Sequence, residues 1–207
     1  MQLALCDAKI AQCVDPAYIR ENLALLNAAS AVVVDCNLPP ETIHCLAENC
    51  TAPLFADPVS VSKAERLVGC LGRLHTIKPN LYETEMLLGT RLKSSRDIMA
   101  AAEKFLSLGL KEVFISMGAE GMCCASETVA PFLVPICDTS LVNATGGGDA
   151  VMGMLVQGFL ENLELRERAA LAMAAGAIAV ESAETVNPTM CMENVRKKMI
   201  LQRSFSS

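Results

Sequence analysis

The stretch Asn143-Ala144-Thr145-Gly146-Gly147-Gly148-Asp149-Ala150, followed at once by Val151-Met152-Gly153-Met154-Leu155-Val156, sets the reading of the whole chain. Three consecutive glycines and an aspartate at the mouth of an apolar helix are poorly suited to a plain turn. Glycine lets a backbone approach a ligand closely and take positive φ. The first turn of a helix leaves N–H groups unpaired at the positive end of its dipole. Together these form a pocket for an anion such as a phosphoryl group. Asp149 then holds a negative charge beside that pocket, and phosphoryl transfer gives it work as the base that accepts a hydroxyl proton. A plainer reading stays open, in which Asp149 caps the helix and the glycines form a flexible entry loop.

Outward from this segment, two kinds of apolar run alternate. Short β-rich stretches are expected at Ala31–Val34, Leu54–Ala56, Leu74–Ile77, Glu112–Ser116, Met122–Ala125 and Thr128–Val134. Helical patterns cover Pro16–Ala29, Pro39–Asn49, Ser60–Leu71, Leu81–Leu88, Ser94–Leu108, Asp149–Glu161, Leu165–Glu181 and Thr189–Gln202. Strands alternating with helices imply βαβ units and a mostly parallel sheet covered on both faces. Ligands of such sheets sit beyond the carboxyl ends of the strands. Asp35, Asn37, Asp57, Lys78, Asn80, Ser116 and Gly118 terminate strands there. Capping and turn formation also want these residue types, and that role is favoured for Asp35 and Asp57.

Two of the strand ends carry more. In Lys78-Pro79-Asn80-Leu81-Tyr82-Glu83, Asn80 and Glu83 stand three apart and face one side of a first helical turn. The same pair makes a capping box. Ser116-Met117-Gly118-Ala119-Glu120-Gly121 turns one strand into the next, as a glycine-rich hairpin would.

These motifs together resemble the ribokinase-like sugar kinases, the phosphofructokinase-B family. The glycine segment is similar to its D-T-x-G-x-G-D signature, with Asn143 in place of an aspartate, Ala144 in place of a hydroxyl or proline, and Met154 where a smaller residue is usual. K-P-N-x-x-E ahead of Leu87-Leu88-Gly89 resembles a second family motif, and Ser116 to Gly121 resembles the T-x-G-x-x-G turn along the nucleotide. The resemblance implies a three-layer α/β/α fold with ATP as phosphoryl donor. It implies Asp149 as base, Gly146, Gly147 and Gly148 as anion hole, and Asn80, Ser116, Gly118 and Gly121 at the nucleotide. Glu83 is the implied anchor of Mg²⁺, while Asn143 and Thr145 stand where relatives hold a monovalent cation such as K⁺. The Ala-rich helix around Met173–Glu181 would lie beside adenine, although close packing explains small residues equally well.

Val32-Val33-Val34-Asp35-Cys36-Asn37-Leu38-Pro39 and Asp57-Pro58-Val59-Ser60-Val61-Ser62-Lys63-Ala64 resemble stretches of pseudouridine kinases, which phosphorylate the 5′-hydroxyl of pseudouridine. A nucleoside or sugar substrate follows, with a pseudouridine-5′-phosphate glycosidase or a second copy of the chain as partners. The resemblance runs from about Leu3 to Lys198. Ala4–Val14 already looks like the middle of a family member, so the chain is expected to lack the N-terminal sugar-binding strands and lid, and with them most activity. Another sugar or nucleoside kinase and an inactive interaction module remain the alternatives.

Composition bounds these readings. A chain of 207 residues is expected to form one domain, residues 1–207, with a sizeable core. Hydrophobic residues make up 52% with no Trp, so that core is aliphatic. A net charge of −6 argues against nucleic acid. No apolar run reaches the roughly 18 residues of a membrane span, and Met1–Asp7 lacks a secretory pattern. Ten scattered cysteines without a C-x-x-C pair read as buried small hydrophobes in a reducing cytoplasm. His44 and His75 read as surface or helix-end residues.

Overall fold

The structure is a computed structural model that describes residues 9–205, with side-chain environments to residue 200. Cys6 and residues 4–8 of the Ala4–Val14 stretch lie outside the described residues. The strands are β1 (Val32–Asp35), β2 (Leu54–Asp57), β3 (Thr76–Ile77), β4 (Glu112–Ser116), β5 (Met122–Ser126) and β6 (Val129–Val134). The helices are α1 (Pro16–Asn27), α2 (Pro40–Asn49), α3 (Val61–Ala64), α4 (Leu81–Leu88), α5 (Ser95–Ser107), α6 (Gly147–Leu160), α7 (Leu165–Val180) and α8 (Met192–Phe205). Strands keep sequence order in a six-stranded sheet. The pairs β1–β2, β2–β3 and β3–β4 are parallel, and β5–β6 is antiparallel.

The chain divides into two compact units, Met1–Val113 and Phe114–Ser207, and the division falls inside β4. In the first unit α1 packs on α2, and α4 packs on α3 and α5. Leu54, Phe55 and Ala56 of β2 are all buried, as a strand covered on both faces should be. β1 alternates instead, with Val32 and Val34 buried and Val33 51% exposed. In the second unit α7 packs on α6, α8, β5 and β6. Its core joins Phe114, Met122, Cys124 and Phe132 to Leu155, Leu171 and the alanines of α7. Buried Arg168 lies 5.8 Å from the ring centres of both Phe114 and Phe159, which lets an interior cation meet π faces.

One expected helix breaks up. Ser60–Leu71 becomes the single turn α3, a 3₁₀ turn at Glu65–Leu67 and another at Leu71–Arg73. Gly69 between them takes φ +91°, which stops helical propagation. The cysteine reading also needs correction. Cys36, Cys45, Cys70, Cys123, Cys124 and Cys137 are buried, but Cys13 and Cys191 are exposed and Cys50 is intermediate. Burial pushes the Cys36 thiol up to about 12, with Asp57 and Asp35 adding to it, so it stays protonated. His44 lies mid-helix and half-buried, its Nε2 3.1 Å from the Arg66 carbonyl oxygen. His75 stacks on Phe55 at 5.5 Å, so both imidazoles are partly buried and engaged by neighbours rather than fully exposed.

Candidate active site

In the second unit α6 begins two residues earlier than expected, so Gly147 and Gly148 form its first turn rather than a loop before it. Gly146 is the N-cap at φ +86°, and no side chain caps the helix. A Cβ at Gly146 would lie 2.4 Å from the Thr185 carbonyl oxygen, and one at Gly147 2.9 Å from Val180 Cγ1. Both positions are therefore glycine for steric reasons as well as for any ligand. Ala150 N–H donates to the Gly146 carbonyl at 2.9 Å and so begins the helical ladder. Asp149 sits in the first turn and is exposed.

The segment leading in is braced from the end of α7. Val142 and Asn143 N–H both donate to the Val180 carbonyl, at 2.8 and 3.1 Å. Asn143 Nδ2 donates to the Ala183 carbonyl at 3.3 Å, and Asn143 Oδ1 accepts Thr145 N–H at 3.0 Å. That oxygen is thus engaged in a turn of the chain's own making. Val180, Ala183 and Thr185 had no motif to single them out, since they act through backbone and bulk. Gly176 of α7 meets Val151 of α6, where a Cβ would lie 2.8 Å from Cγ2. Close helix packing therefore accounts for small residues in this part of α7. The turn from Ser116 to Gly121 is short and closed: Met117 N–H donates to the Gly121 carbonyl at 2.8 Å, and Gly118–Glu120 is 3₁₀. Gly118 is exposed and Gly121 buried.

In the first unit Asn80 and Glu83 form the full capping box at the start of α4. Asn80 Oδ1 accepts Glu83 N–H at 3.0 Å, and Glu83 Oε2 accepts Asn80 N–H at 2.8 Å. Glu83 is only 3% exposed. Burial holds its carboxyl above the ordinary range, with Asp57 adding to the rise, against the lowering pull of the Asn80 N–H and of Lys78. Lys78, buried at the end of β3, pairs with Asp57 at the end of β2 at 2.9 Å. Asp57 Oδ1 also accepts Val59 N–H at 3.0 Å, and Ser60 N–H donates to the Pro58 carbonyl at 2.7 Å. Val59 takes φ +67° in that turn, a strained conformation for a β-branched residue. Asp35 accepts from both the backbone and the side-chain nitrogen of Asn37 at 2.8 Å, so Asp35 and Asp57 do fill the turn roles favoured for them.

The second unit thus carries a glycine-started helix without a side-chain cap and with an exposed carboxylate in its first turn, and the first unit carries polar residues at its strand ends. Residues 7–190 match the family described as pfkB family carbohydrate kinase, and the chain belongs to that family. It is 29% identical over 197 residues to the pseudouridine kinase of Escherichia coli K12, covering 94% of this chain and 63% of that protein. The chain thus spans less than two thirds of the length of that relative, and 53% of a second from the same strain, an uncharacterized sugar kinase to which it is 31% identical over 93% of its own length. A carbohydrate kinase from Agrobacterium tumefaciens superposes with TM-score 0.80 at 24% identity, covering 97% of this chain and 64% of its own. An Arabidopsis thaliana ribokinase complexed with ribose and ATP gives TM-score 0.72 at 19% identity, covering 86% and 58% respectively. The fold is ribokinase-like, three layers with a mostly parallel sheet.

Proposed function

We propose that the protein transfers the terminal phosphoryl group of ATP to a hydroxyl of a nucleoside or sugar, with the 5′-hydroxyl of pseudouridine as acceptor. The observation that carries this reading is the start of α6, where no side chain caps the first turn and Asp149 is exposed within that turn. Amides left unspent at a helix start stabilise the charge of a moving phosphoryl group. Asp149 takes the proton of the attacking hydroxyl as its oxygen bonds to the γ-phosphorus. The bond from that phosphorus to the β–γ bridging oxygen breaks, and ADP leaves with the electron pair.

Asn80, Ser116, Gly118 and Gly121 are the residues this reading assigns to the nucleotide, on the strength of the motifs that carry them. Glu83 has one oxygen spent on Asn80 N–H, which leaves the other to hold a Mg²⁺ water. The chemistry Mg²⁺ would supply there is neutralisation of part of the triphosphate's negative charge. Asn143 and Thr145 serve a monovalent cation; with Asn143 Oδ1 engaged by Thr145 N–H, their backbone carbonyls and the Thr145 hydroxyl are the oxygens left. The pseudouridine assignment is supported by the Asp35–Pro39 and Asp57–Ala64 stretches and by the similarity to the E. coli enzyme.

The test is ADP release with Mg²⁺-ATP and pseudouridine, uridine, ribose or adenosine, using the protein at its full encoded length. Pseudouridine is expected to turn over fastest. Asp149→Asn is expected to lower kcat by about 10²- to 10⁴-fold, the scale of a lost general base, with the melting temperature kept. Turnover that survives Asp149→Asn sinks the assignment of the base, and a preference for ribose or adenosine replaces the substrate.

A further inference from the structure

A cavity of about 500 Å³ opens in the first unit among Lys9, Asp15, Asn37, Glu41, Lys63 and Arg66, a size that suits a small ligand. Asn37 stands two residues past the end of β1 and Lys63 lies in α3, which follows β2. The Asp35–Pro39 and Asp57–Ala64 stretches therefore meet on one wall.

That wall is fixed before any ligand arrives. Asp35 accepts both Asn37 N–H and one Asn37 side-chain N–H at 2.8 Å, which orients the amide. Its oxygen is thereby turned to Lys63, whose Nζ donates to it at 2.5 Å. Arg66 Nη1 reaches the carbonyls of Cys36, Asn37 and Leu38 at 3.0, 3.1 and 2.9 Å and clamps the backbone that carries Asn37. An ammonium has three N–H donors, so Lys63 can give hydrogen bonds beyond the one to Asn37.

The signs on the lining point to the ligand. Lys9, Lys63 and Arg66 stand with Asp15 and Glu41 around the same space. A phosphate or other simple anion would meet two carboxylates there, at a desolvation and repulsion cost. A neutral planar ring with C=O acceptors on one edge and N–H donors on another meets both signs favourably. We propose that this cavity is a subsite for a uracil-type ring, with Lys63 donating to a ring carbonyl and Glu41 accepting a ring N–H. The proposal rests on the nucleoside-kinase reading and names the part of the substrate that this face recognises. In pseudouridine the sugar is joined to ring carbon C5, so N1 and N3 both carry hydrogen, whereas uridine spends N1 on the glycosidic bond. A carboxylate that accepts the second N–H would lose that hydrogen bond with uridine, and a lost bond to a charged acceptor lowers affinity for the analogue.

The chain of 207 residues is titrated by calorimetry with pseudouridine, uridine, ribose, inorganic phosphate and, separately, Mg²⁺-ATP. Pseudouridine is expected to bind at least tenfold tighter than uridine, with ribose and phosphate silent. Lys63→Met should weaken pseudouridine at least tenfold, and Glu41→Gln should bring pseudouridine and uridine together. Glu41 is exposed, so that second variant stands should Lys63→Met fail to fold. ATP heat without pseudouridine heat overturns the subsite and spares the kinase reading. Pseudouridine heat without ATP heat does the reverse. Phosphate that competes with pseudouridine, or a Glu41→Gln variant that keeps its preference, also overturns the subsite.

Discussion

The starts of α4 and α6 solve the same physical problem in opposite ways. Every helix begins with N–H groups that lack a partner in the chain. At α4 the chain supplies the partners itself, since Asn80 Oδ1 takes Glu83 N–H and Glu83 Oε2 takes Asn80 N–H. At α6 the N-cap is Gly146, no side chain reaches the first turn, and the acidic residue there is exposed. A closed start contributes to stability wherever it stands. A bare one forgoes that contribution, and a ligand can collect it. The glycines that keep α6 bare are also locked by packing, because Thr185 and Val180 fill the space their side chains would occupy.

Gly146→Ala is the severest way to break the contrast. It places a Cβ in a left-handed conformation and 2.4 Å from a backbone oxygen, so strain and overlap together should cost about 3 kcal/mol. Chemical denaturation measures the loss, and a cost below about 1 kcal/mol would show that this loop yields easily. Asn80→Ala opens the closed start instead. It should destabilise by about 1 kcal/mol, the ordinary value of an N-cap, and a null result would mean that packing alone holds α4. Glu83→Gln is the mildest change, because glutamine can keep the bond to Asn80 N–H. Its effect lies in pH. The Glu83 carboxyl is raised in the folded state, so its favourable contribution is complete below the unfolded value near 4.5 and is lost as pH rises through the raised value. Urea midpoints taken across that window should therefore shift in favour of Glu83→Gln as pH increases. Parallel pH profiles for the two proteins would mean that burial is not what sets this carboxyl.

Much of this was legible before any coordinates. Periodicity placed every strand to within a residue or two. Pro16, Pro39, Ser94 and Asn80 marked helix starts to within a residue through local chemistry alone, since a side chain or ring acts on its own turn. The Asn80–Glu83 box was visible because both partners lie in one stretch of chain. The long helix expected over Ser60–Leu71 failed where a positive-φ glycine outweighed apolar spacing. The cysteines misled for a different reason, because hydrophobic neighbours in sequence do not bury a residue such as Cys191 that the fold leaves outside. Nothing in the local pattern announced that Val59 would be held at φ +67°, because β-branched residues rarely take that conformation.

The sequence by itself determined the alternation of strands and helices, the glycine-opened helix with Asp149 in its first turn, and membership of a kinase family. Those features are short-range, and neighbouring residues carry their physics. Only the tertiary structure decided that Asn37 and Lys63, 26 positions apart, would share a hydrogen bond beside a cavity. It also decided that Gly146 would press on Thr185, 39 positions further along the chain. Contacts of that kind depend on how distant segments pack, and close packing admits one arrangement that no local stretch encodes.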